Sequence, residues 1–227
     1  MILDKTTLPR IVDLSCVGYG IGRDELELMV RLGKEYSFIA CLSLPYYIPW
    51  LIEELKDRKD IAVAGVAGFP SGGDLTSTKV LETKEQIAQG CTEIDMVVNI
   101  GELKSDRIDS VKDDIKAVVE AADGVPVKSI LEVTLLTDDE IRRGAEAAVK
   151  AGAVFVKTGT GWMKNPTTVA HIELIRDAIG DSAFIKAAGG VRTLDDIVSM
   201  MDAGCSRFGI GVKSIISIID ELERTTP

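Results

Sequence analysis

Short apolar runs alternate along the chain with longer segments in which apolar side chains recur at helical spacing. The first pattern is typical of strands buried on both faces, and the second is typical of amphipathic helices. The runs predict eight strands, at residues 11–14, 38–42, 61–67, 93–98, 127–131, 154–157, 184–187 and 207–211.

Each predicted strand is followed by one predicted helix. These helices span residues 23–36, 48–55, 77–89, 108–122, 137–152, 167–178, 193–204 and 215–222. Local signals support several boundaries. Thr137 and Glu140 have the spacing of a capping box, and Gly124 and Pro126 end the helix before the fifth strand.

The alternation of strands and helices predicts the fold. Such strands pair in parallel through right-handed crossovers, and eight strand–helix pairs within 227 residues suit a closed (β/α)8 or TIM barrel. An open doubly wound sheet is the alternative, but no Gly-x-Gly-x-x-Gly motif follows the first strand, and glycine turns recur after several strands. We therefore predict a single-domain α/β barrel over residues 1–227, with its functional residues at the C-terminal ends of the strands.

Composition and charge narrow the classes of function. The net charge of −10, with an isoelectric point near 4.7, argues against a nucleic-acid partner, because phosphate backbones are bound by clustered cations. His171 is the only histidine, which argues against histidine-dependent nucleophiles and multi-histidine metal sites. The spacing of the cysteines indicates a reducing, cytoplasmic setting. No membrane span or signal peptide is visible, and we expect neither a metal nor an organic cofactor.

Two lysines lie at the ends of predicted strands, and each is followed by a turn that contains glycine. Lys157 precedes residues 158–161 (TGTG), and Lys186 precedes residues 187–190 (AAGG). A buried lysine is costly unless it is paired or neutral, and a neutral lysine is a nucleophile. Asp95, in the fourth strand, would face the same region and handle protons. The alternative is that each lysine only marks where its strand leaves the core and reaches solvent.

The two lysines need a common explanation. Adjacent strands lie about 4.8 Å apart, so lysines at matching depth can bring their ammonium groups to about 6 Å. At an effective dielectric constant of about 20 this gives about 2.8 kcal/mol of repulsion, equivalent to about two pKa units. We therefore predict Schiff-base chemistry with Lys157 as the nucleophile and Lys186 as the neighbouring charge that favours a neutral amine. Lys128 is the competing candidate, but it lies early in its strand, near the opposite face of the barrel.

Several other features allow two interpretations. The loop at residues 68–73 is either ligand-facing or a tight turn. Cys41 either lines the pocket or, as we favour, fills core space as a small buried thiol. Arg192 either binds an anion or forms a surface ion pair. The aromatic segment at residues 45–50 is interpreted as internal packing or as a subunit contact.

A set of motifs in a fixed order covers nearly the whole chain. The motifs are 12–15 (VDLS), 68–70 (GFP), 93–99 (EIDMVVN), 155–161 (FVKTGTG), 185–193 (IKAAGGVRT) and 206–209 (SRFG). As a set they resemble the deoxyribose-phosphate aldolases, a family of class I aldolases. The resemblance implies a metal-free, reversible aldol reaction that joins acetaldehyde to D-glyceraldehyde 3-phosphate.

The resemblance also assigns roles to individual residues. It implies imine formation at Lys157, with Lys186 as the second lysine and Asp95 as the proton-handling carboxylate. Asp13 matches a supporting acidic residue, and Ser15 matches a hydroxyl in the pocket. The remaining substrate contacts are expected at turn residues, namely Thr158, Gly161, Gly189, Gly190, Gly209 and Gly211.

The chain departs from this family at the end of the pocket that binds phosphate. Gly159 stands where a serine is usual, Trp162 where many members have a lysine, and residues 211–212 (GV) where a pair of serines is expected. Lys164 or Lys213 would then have to replace lost contacts.

Because of these departures, the sequence allows more than one identity for the acceptor aldehyde. The expected partner is a small phosphorylated sugar or aldehyde, and a homo-oligomer is the expected assembly. The alternatives are the same lysine chemistry on a different or unphosphorylated aldehyde, and a non-catalytic ligand-binding barrel.

Overall fold

A closed barrel of parallel strands forms the centre of the molecule. The computed structural model describes residues 3–225, and each strand pairs with the next along the chain until β8 pairs with β1. The strands are β1 (Val12–Cys16), β2 (Ala40–Ser43), β3 (Ala62–Ala67), β4 (Glu93–Val97), β5 (Val127–Ile130), β6 (Phe155–Lys157), β7 (Phe184–Ala188) and β8 (Arg207–Gly211). This topology confirms the predicted (β/α)8 barrel, and the open doubly wound sheet is wrong.

Helices surround the barrel. They are α1 (Arg23–Tyr36), α2 (Ile48–Leu55), α3 (Thr76–Gln89), α4 (Ile100–Lys104), α5 (Ile108–Ala121), α6 (Asp138–Lys150), α7 (Val169–Ile179), α8 (Leu194–Asp202) and α9 (Val212–Thr225). Short 3-10 turns lie at Leu8–Ile11, Pro45–Tyr47 and Val133–Leu135. Within residues 3–225, no helix is long and apolar enough to cross a membrane.

Many element bounds differ from the predicted ones by one or two residues, and three differences are described here. Ile11 belongs to a 3-10 turn rather than to β1, because Pro9 at the start of that turn favours a helical backbone. The short helix α4 was not predicted, since its length gives no helical period; the Asn99 side chain caps it by accepting from the Glu102 N–H. Helix α9 begins at Val212, directly after β8, instead of at the predicted residue 215. Its N-terminus therefore lies at the C-terminal end of the barrel.

The capping box predicted before the sixth helix is confirmed. The Thr137 hydroxyl accepts from the Glu140 N–H at 3.3 Å, and the Glu140 carboxylate accepts from the Thr137 N–H at 2.8 Å. The two bonds satisfy backbone donors that the first turn of α6 leaves open.

The strands bury two unlike surfaces. Side chains alternate along a strand, so each strand faces the surrounding helices and the barrel axis in turn. The outward-facing residues form one large apolar core with the helices. Inside the barrel a small separate apolar cluster contains Leu42, Ala64 and Val66 of β2 and β3. The strands opposite this cluster place charged side chains on the axis, and the candidate active site lies there.

Candidate active site

The two strand-end lysines and Asp95 meet on the barrel axis. Strand register pairs Lys157 of β6 with Lys186 of β7. Both ammonium groups donate to the same oxygen, Oδ2 of Asp95, each at 2.7 Å. The two nitrogens therefore lie no more than twice that distance apart, as the register of adjacent strands predicted. Side-chain exposure is 2% for Lys157 and 0% for Lys186 and Asp95, so neither lysine extends into bulk solvent.

A second group of charges lies behind this triad, towards the N-terminal end of the barrel. Asp13 accepts from Lys186 at 2.5 Å and from Lys128 at 2.6 Å through Oδ2, and its Oδ1 accepts from Arg207. Lys128 also donates to Glu93 at 2.5 Å, and Arg207 donates to both Glu93 oxygens at 3.1 Å. Three carboxylates and four cations thus form one connected network, in which each of these contacts joins opposite charges.

The network fixes the protonation of its carboxylates. Burial alone would raise the pKa of Asp95, but Lys128, Lys157 and Lys186 outweigh it and hold that pKa well below its usual range. The pKa of Asp13 is lowered in the same way, against the effect of burial, by Lys128, Lys186 and Arg207. Both groups are therefore carboxylates at neutral pH, able to accept protons and to stabilise cations.

The lysines of the network respond differently to their surroundings. Complete burial is the largest influence on Lys186 and lowers its pKa to about 8; Asp13 and Asp95 oppose this effect, and Lys128 and Lys157 reinforce it. The pKa of Lys128 is raised despite burial, because Asp13, Asp95 and Glu93 surround it. Lys128 thus stays charged, whereas a neutral amine is accessible near neutral pH at Lys186. From the sequence we predicted that repulsion by Lys186 would lower the pKa of the nucleophile; the lowered pKa found here belongs to Lys186, and burial rather than lysine–lysine repulsion is its largest cause.

A cavity opens above the triad at the C-terminal end of the barrel. Its volume is about 270 Å³, and Lys157 is the lysine that lines it. Further lining residues include Ser15, Leu42, Thr160, Gly161, Trp162, Gly189, Gly190, Arg192, Gly209, Gly211 and Ser214. A larger groove of about 620 Å³ lies on the outer surface between α1 and α2, remote from the charged network, and we assign no chemistry to it.

Glycine is required at two positions around this cavity. A Cβ on Gly190, whose φ is +91°, would lie 2.3 Å from the Pro166 side chain. A Cβ on Gly209 would approach Lys186 Cε to 3.3 Å and Ala188 Cβ to 3.0 Å. Gly209 therefore leaves the space in which the Lys186 side chain crosses the barrel, and Gly190 lets the β7 turn close over the cavity.

The cavity has a polar end and an aromatic wall. Arg192, Ser214 and the start of α9 form the polar end. Trp162 forms the wall, with its indole Nε1–H donating to the Val17 carbonyl at 2.8 Å. Tyr19 and Phe69 pack edge-on against Trp162, with ring centroids 5.1 and 5.9 Å away.

Most of the residues predicted to bind substrate line the cavity. Ser15, Gly161, Gly189, Gly190, Gly209 and Gly211 all do so. Thr158 does not line it: its hydroxyl donates to the Ala188 carbonyl at 3.0 Å and accepts from the Ala188 N–H at 2.9 Å, which joins β6 to β7. Lys164 and Lys213 also lie outside the lining, whose cations are Lys157 and Arg192. Asp13, Asp95 and Lys186 do not line the cavity; Asp95 and Lys186 lie next to it, since Asp95 accepts from both Lys157 and Lys186.

Packing distinguishes between the two interpretations of Cys41 and of the 68–73 loop. Cys41 is fully buried in the core between barrel and helices, as favoured, and its neighbour Leu42 lines the cavity instead. The 68–73 loop packs tightly on the end of β4, since a Cβ on Gly72 would lie 1.9 Å from the Val98 carbonyl oxygen. Its link to the cavity is Phe69, through the contact with Trp162.

Four charged residues of the site were not identified from the sequence, and one of them, Glu25, lines the cavity. Glu93 and Arg207 are the first residues of β4 and β8, and a charge opening a buried strand was the available signal. Glu132 gave no comparable signal. It is buried with a φ of +60°, and its Oε2 accepts from the Thr160 N–H at 3.1 Å and from the Thr160 hydroxyl. It thereby holds the loop that follows Lys157.

Comparison with known proteins agrees with this geometry. A model of the DeoC/LacD family aldolases matches residues 47–214. The deoxyribose-phosphate aldolase of Staphylococcus carnosus is 41% identical over 200 residues, covering 88% of this chain and 90% of that one. The Staphylococcus epidermidis enzyme of the same name is 39% identical over 217 residues, covering 96% and 97%. A crystal structure from Coccidioides immitis, provisionally described as this aldolase, matches with a TM-score of 0.90 and 31% identity, covering 97% and 87%. The chain therefore belongs to the DeoC/LacD family of aldolases.

Proposed function

We propose that this aldolase catalyses the reversible cleavage of 2-deoxy-D-ribose 5-phosphate to acetaldehyde and D-glyceraldehyde 3-phosphate through an imine on Lys157. The observation that carries the proposal is the access of the lysines. Lys157 lines the cavity, whereas Lys186 and Lys128 are fully buried beneath it. A carbonyl carbon in the cavity can therefore reach one lysine nitrogen of the network.

The reaction follows from a neutral amine at this position. The Lys157 nitrogen adds to the aldehyde carbon of the open-chain sugar, and loss of water leaves a protonated imine. A base then removes the proton of the C3 hydroxyl, the C2–C3 bond breaks, and its electron pair flows into the imine to give an enamine. Glyceraldehyde 3-phosphate leaves. Protonation of the enamine at C2 and hydrolysis then release acetaldehyde and restore the amine.

Asp95 and Lys186 support the proton transfers. Asp95 is held as a carboxylate by three lysines, and its Oδ2 contacts both lysines that can exchange a proton. Burial places the pKa of Lys186 near neutral pH, which suits a group that both gives and takes protons during a reaction. Asp13 keeps Lys186 in place from the opposite side, at 2.5 Å.

The polar end of the cavity suits the substrate's phosphate. Arg192 supplies a cation, Ser214 a hydroxyl, and the N-terminus of α9 a favourable dipole for an anion. The turn at Gly189 and Gly190 adds backbone groups beside them. This arrangement replaces the lysine and serines that the family resemblance led us to expect.

Reductive trapping tests the proposal. Borohydride added with acetaldehyde should leave a stable adduct on Lys157, located by peptide mass, and chelators should leave turnover intact. Lys157→Ala should abolish both trapping and turnover. Lys186→Ala should trap weakly, and more readily as the pH rises, because the assisting neighbouring amine is lost. An adduct on Lys128 or Lys186 in the active enzyme would refute the assignment.

The aromatic wall favours a second candidate, in which the same chemistry acts on an acceptor aldehyde without phosphate. Trp162 places an indole where family members carry a lysine, and Tyr19 and Phe69 extend that apolar surface. Turnover of deoxyribose 5-phosphate and of deoxyribose separates the two candidates. Trp162→Lys should raise kcat/KM for the phosphorylated sugar relative to the unphosphorylated one, with Trp162→Phe as the matched control. A parental preference for deoxyribose would favour the second candidate.

We also propose a reducing, cytoplasmic setting and a homo-oligomeric assembly. All four cysteines are free and buried, which suits a compartment in which thiols stay reduced. Tyr46 is 88% exposed beside α2, which suits a contact between subunits. Sedimentation of the parental protein and of Tyr46→Ser would test the assembly.

A further inference from the structure

The N-terminal end of the barrel holds an ion-pair layer that the reaction itself does not touch. Glu93 and Arg207 open β4 and β8, and their side chains are 14% and 8% exposed. Each is linked to the lysine pair through shared partners. Arg207 and Lys186 bind the two oxygens of the Asp13 carboxylate, and Glu93 binds Lys128, which shares Asp13 Oδ2 with Lys186.

Two aromatic rings cover part of that end, although Phe184 itself is 56% exposed. Phe155 lies on β6 and is paired in register with Phe184 of β7, with ring centroids 5.3 Å apart. The Lys128 nitrogen lies 5.8 Å from the centroid of the Phe155 ring, and the Arg207 guanidinium carbon lies 6.0 Å from it. Because Asp13, Lys128 and Lys186 are fully buried, and Arg207 and Glu93 are nearly so, the charges of the ion-pair layer are weakly screened and act over several ångströms.

The network does not balance its own charge. Asp13, Glu93 and Asp95 carry three negative charges, against four positive charges on Lys128, Lys157, Lys186 and Arg207. Lys128 and Arg207 are held charged by the carboxylates around them. Loss of one proton from the Lys157–Lys186 pair would therefore bring the interior to neutrality. Any change in the fixed charges should alter how readily that proton leaves.

We propose, on the basis of the function assigned above, that Glu93 and Arg207 are positioning residues whose opposite charges set the pH range in which the Lys157–Lys186 pair supplies a neutral amine. Neither residue lines the cavity, so neither contacts substrate. Glu93 favours the protonated pair and Arg207 disfavours it. Because Arg207 Nη2 donates to both Glu93 oxygens, the two opposite charges lie close together and their effects nearly cancel.

Other charged residues near Lys157 and Lys186 also influence how readily the pair loses a proton. Asp13 of β1, Asp95 of β4 and Lys128 of β5 contact it or its partners directly, while β2 and β3 present the uncharged Leu42, Ala64 and Val66. Glu25 and Arg192 line the cavity, and the Glu132 carboxylate accepts from the Thr160 N–H. All of these remain unchanged in the variants below, so the comparison isolates Glu93 and Arg207.

The expected shifts have opposite signs. At about 7 Å and an effective dielectric constant of about 20, one unit charge moves a neighbouring titration by about one to two pH units. Rearrangement of the remaining partners should reduce this to about one unit. Glu93→Gln removes a negative charge, so the acid limb of kcat/KM should move about one unit lower. Arg207→Gln removes a positive charge, so the same limb should move about one unit higher.

A double variant separates charge from structure. Glu93→Gln with Arg207→Gln keeps the interior charge of the parental enzyme, so its pH profile should return to within a few tenths of a unit of the parental one. Arg207→Lys keeps the charge but loses the guanidinium that donates to Asp13 and Glu93 at the same time, and it should retain the parental profile. Asp114→Asn removes a buried carboxylate that pairs with Lys79 outside the barrel, and it serves as the control for general destabilisation.

The readouts are the pH dependence of kcat/KM and the pH dependence of borohydride trapping with acetaldehyde, each normalised to the folded fraction. Opposite shifts in the single variants and recovery in the double variant would support the proposal. Unshifted profiles in folded single variants, shifts of one sign in both, or no recovery in the double variant would overturn it. If Glu93→Gln does not fold, Arg207→Gln against Arg207→Lys still decides the sign. An inactive parental enzyme would instead refute the function proposed above.

Discussion

Replacement of Asp95 by asparagine is the most informative single perturbation of the barrel interior. The amide would keep the shape of the side chain and one oxygen acceptor, but it would lose the charge that Lys157 and Lys186 share at 2.7 Å. The other carboxylate oxygen, Oδ1 of Asp95, lies 3.3 Å from the Lys128 nitrogen. We expect turnover to be lost and the protein to be destabilised, because buried ammonium groups would then lack their common counterion.

The size of the destabilisation can be bounded from the structure. Breaking a buried ion pair costs about 3–5 kcal/mol, unless the remaining charge is relieved by losing its proton. Lys186 has a folded-state pKa of about 8, about one unit above pH 7, so its neutralisation at pH 7 adds about 1.4 kcal/mol at most. The Lys157 ammonium, which donates only to Asp95 among the bonds described, carries the larger part of the loss. We expect a total of about 3 kcal/mol at pH 7.

The destabilisation caused by Asp95→Asn should decrease as the pH rises. A lysine whose pKa is lowered by folding binds fewer protons in the folded state than in the unfolded one, so stability rises with pH between the two pKa values. For Lys186 this window runs from about 8 in the folded protein to about 10.4 in the unfolded chain. Without Asp95, folding should lower the pKa of Lys186 further. The difference in unfolding free energy between Asp95→Asn and the parental protein should therefore shrink between pH 7 and pH 10.

Urea unfolding at pH 7, 8.5 and 10, followed by circular dichroism, measures this prediction. Asp114→Asn is the matched control, because Asp114 pairs with the buried Lys79 at 2.6 Å outside the barrel and should leave turnover per folded molecule unchanged. Equal urea midpoints for Asp95→Asn and the parental protein would refute the reasoning. So would a deficit that stays constant from pH 7 to pH 10.

Three further predictions address packing, acid stability and the thiols. Gly159→Ala should lower the free energy of unfolding by about 1–3 kcal/mol, since a Cβ there would lie 2.8 Å from Glu132 Oε1; urea titration checks this, and an unchanged midpoint would contradict it. Acid should unfold the protein as the pH falls below about 4, because folding lowers the pKa of Asp13 and Asp95 and that stabilisation is lost on protonation; a circular dichroism titration that stays flat to pH 2 would contradict it. A thiol reagent at pH 8 should modify none of the four buried cysteines in the native protein and all of them in urea, and rapid native labelling would count against the packing described.

The fold could be read from the sequence because it depends on local periodicity. Apolar runs alternating with helical segments require parallel strands, and enough of them in a short chain require closure into a barrel. The ends of elements were less certain. Helix α9 starts directly after β8, at Val212, and no apolar period in the sequence marks that start.

The sequence by itself determined that Lys157, Lys186 and Asp95 would meet, because position within a strand fixes depth in a barrel, and register then aligned the two lysines. The sequence could not show which lysine lines the cavity or that both lysines donate to Asp95 Oδ2. Nor could it show that the Thr158 hydroxyl is hydrogen-bonded to the Ala188 backbone instead of facing the cavity. It also missed the roles of Glu93, Arg207 and Glu132. These depend on contacts between residues far apart in the chain, and on burial, which weakens screening and sets the charge balance. Both properties exist only once the barrel has closed.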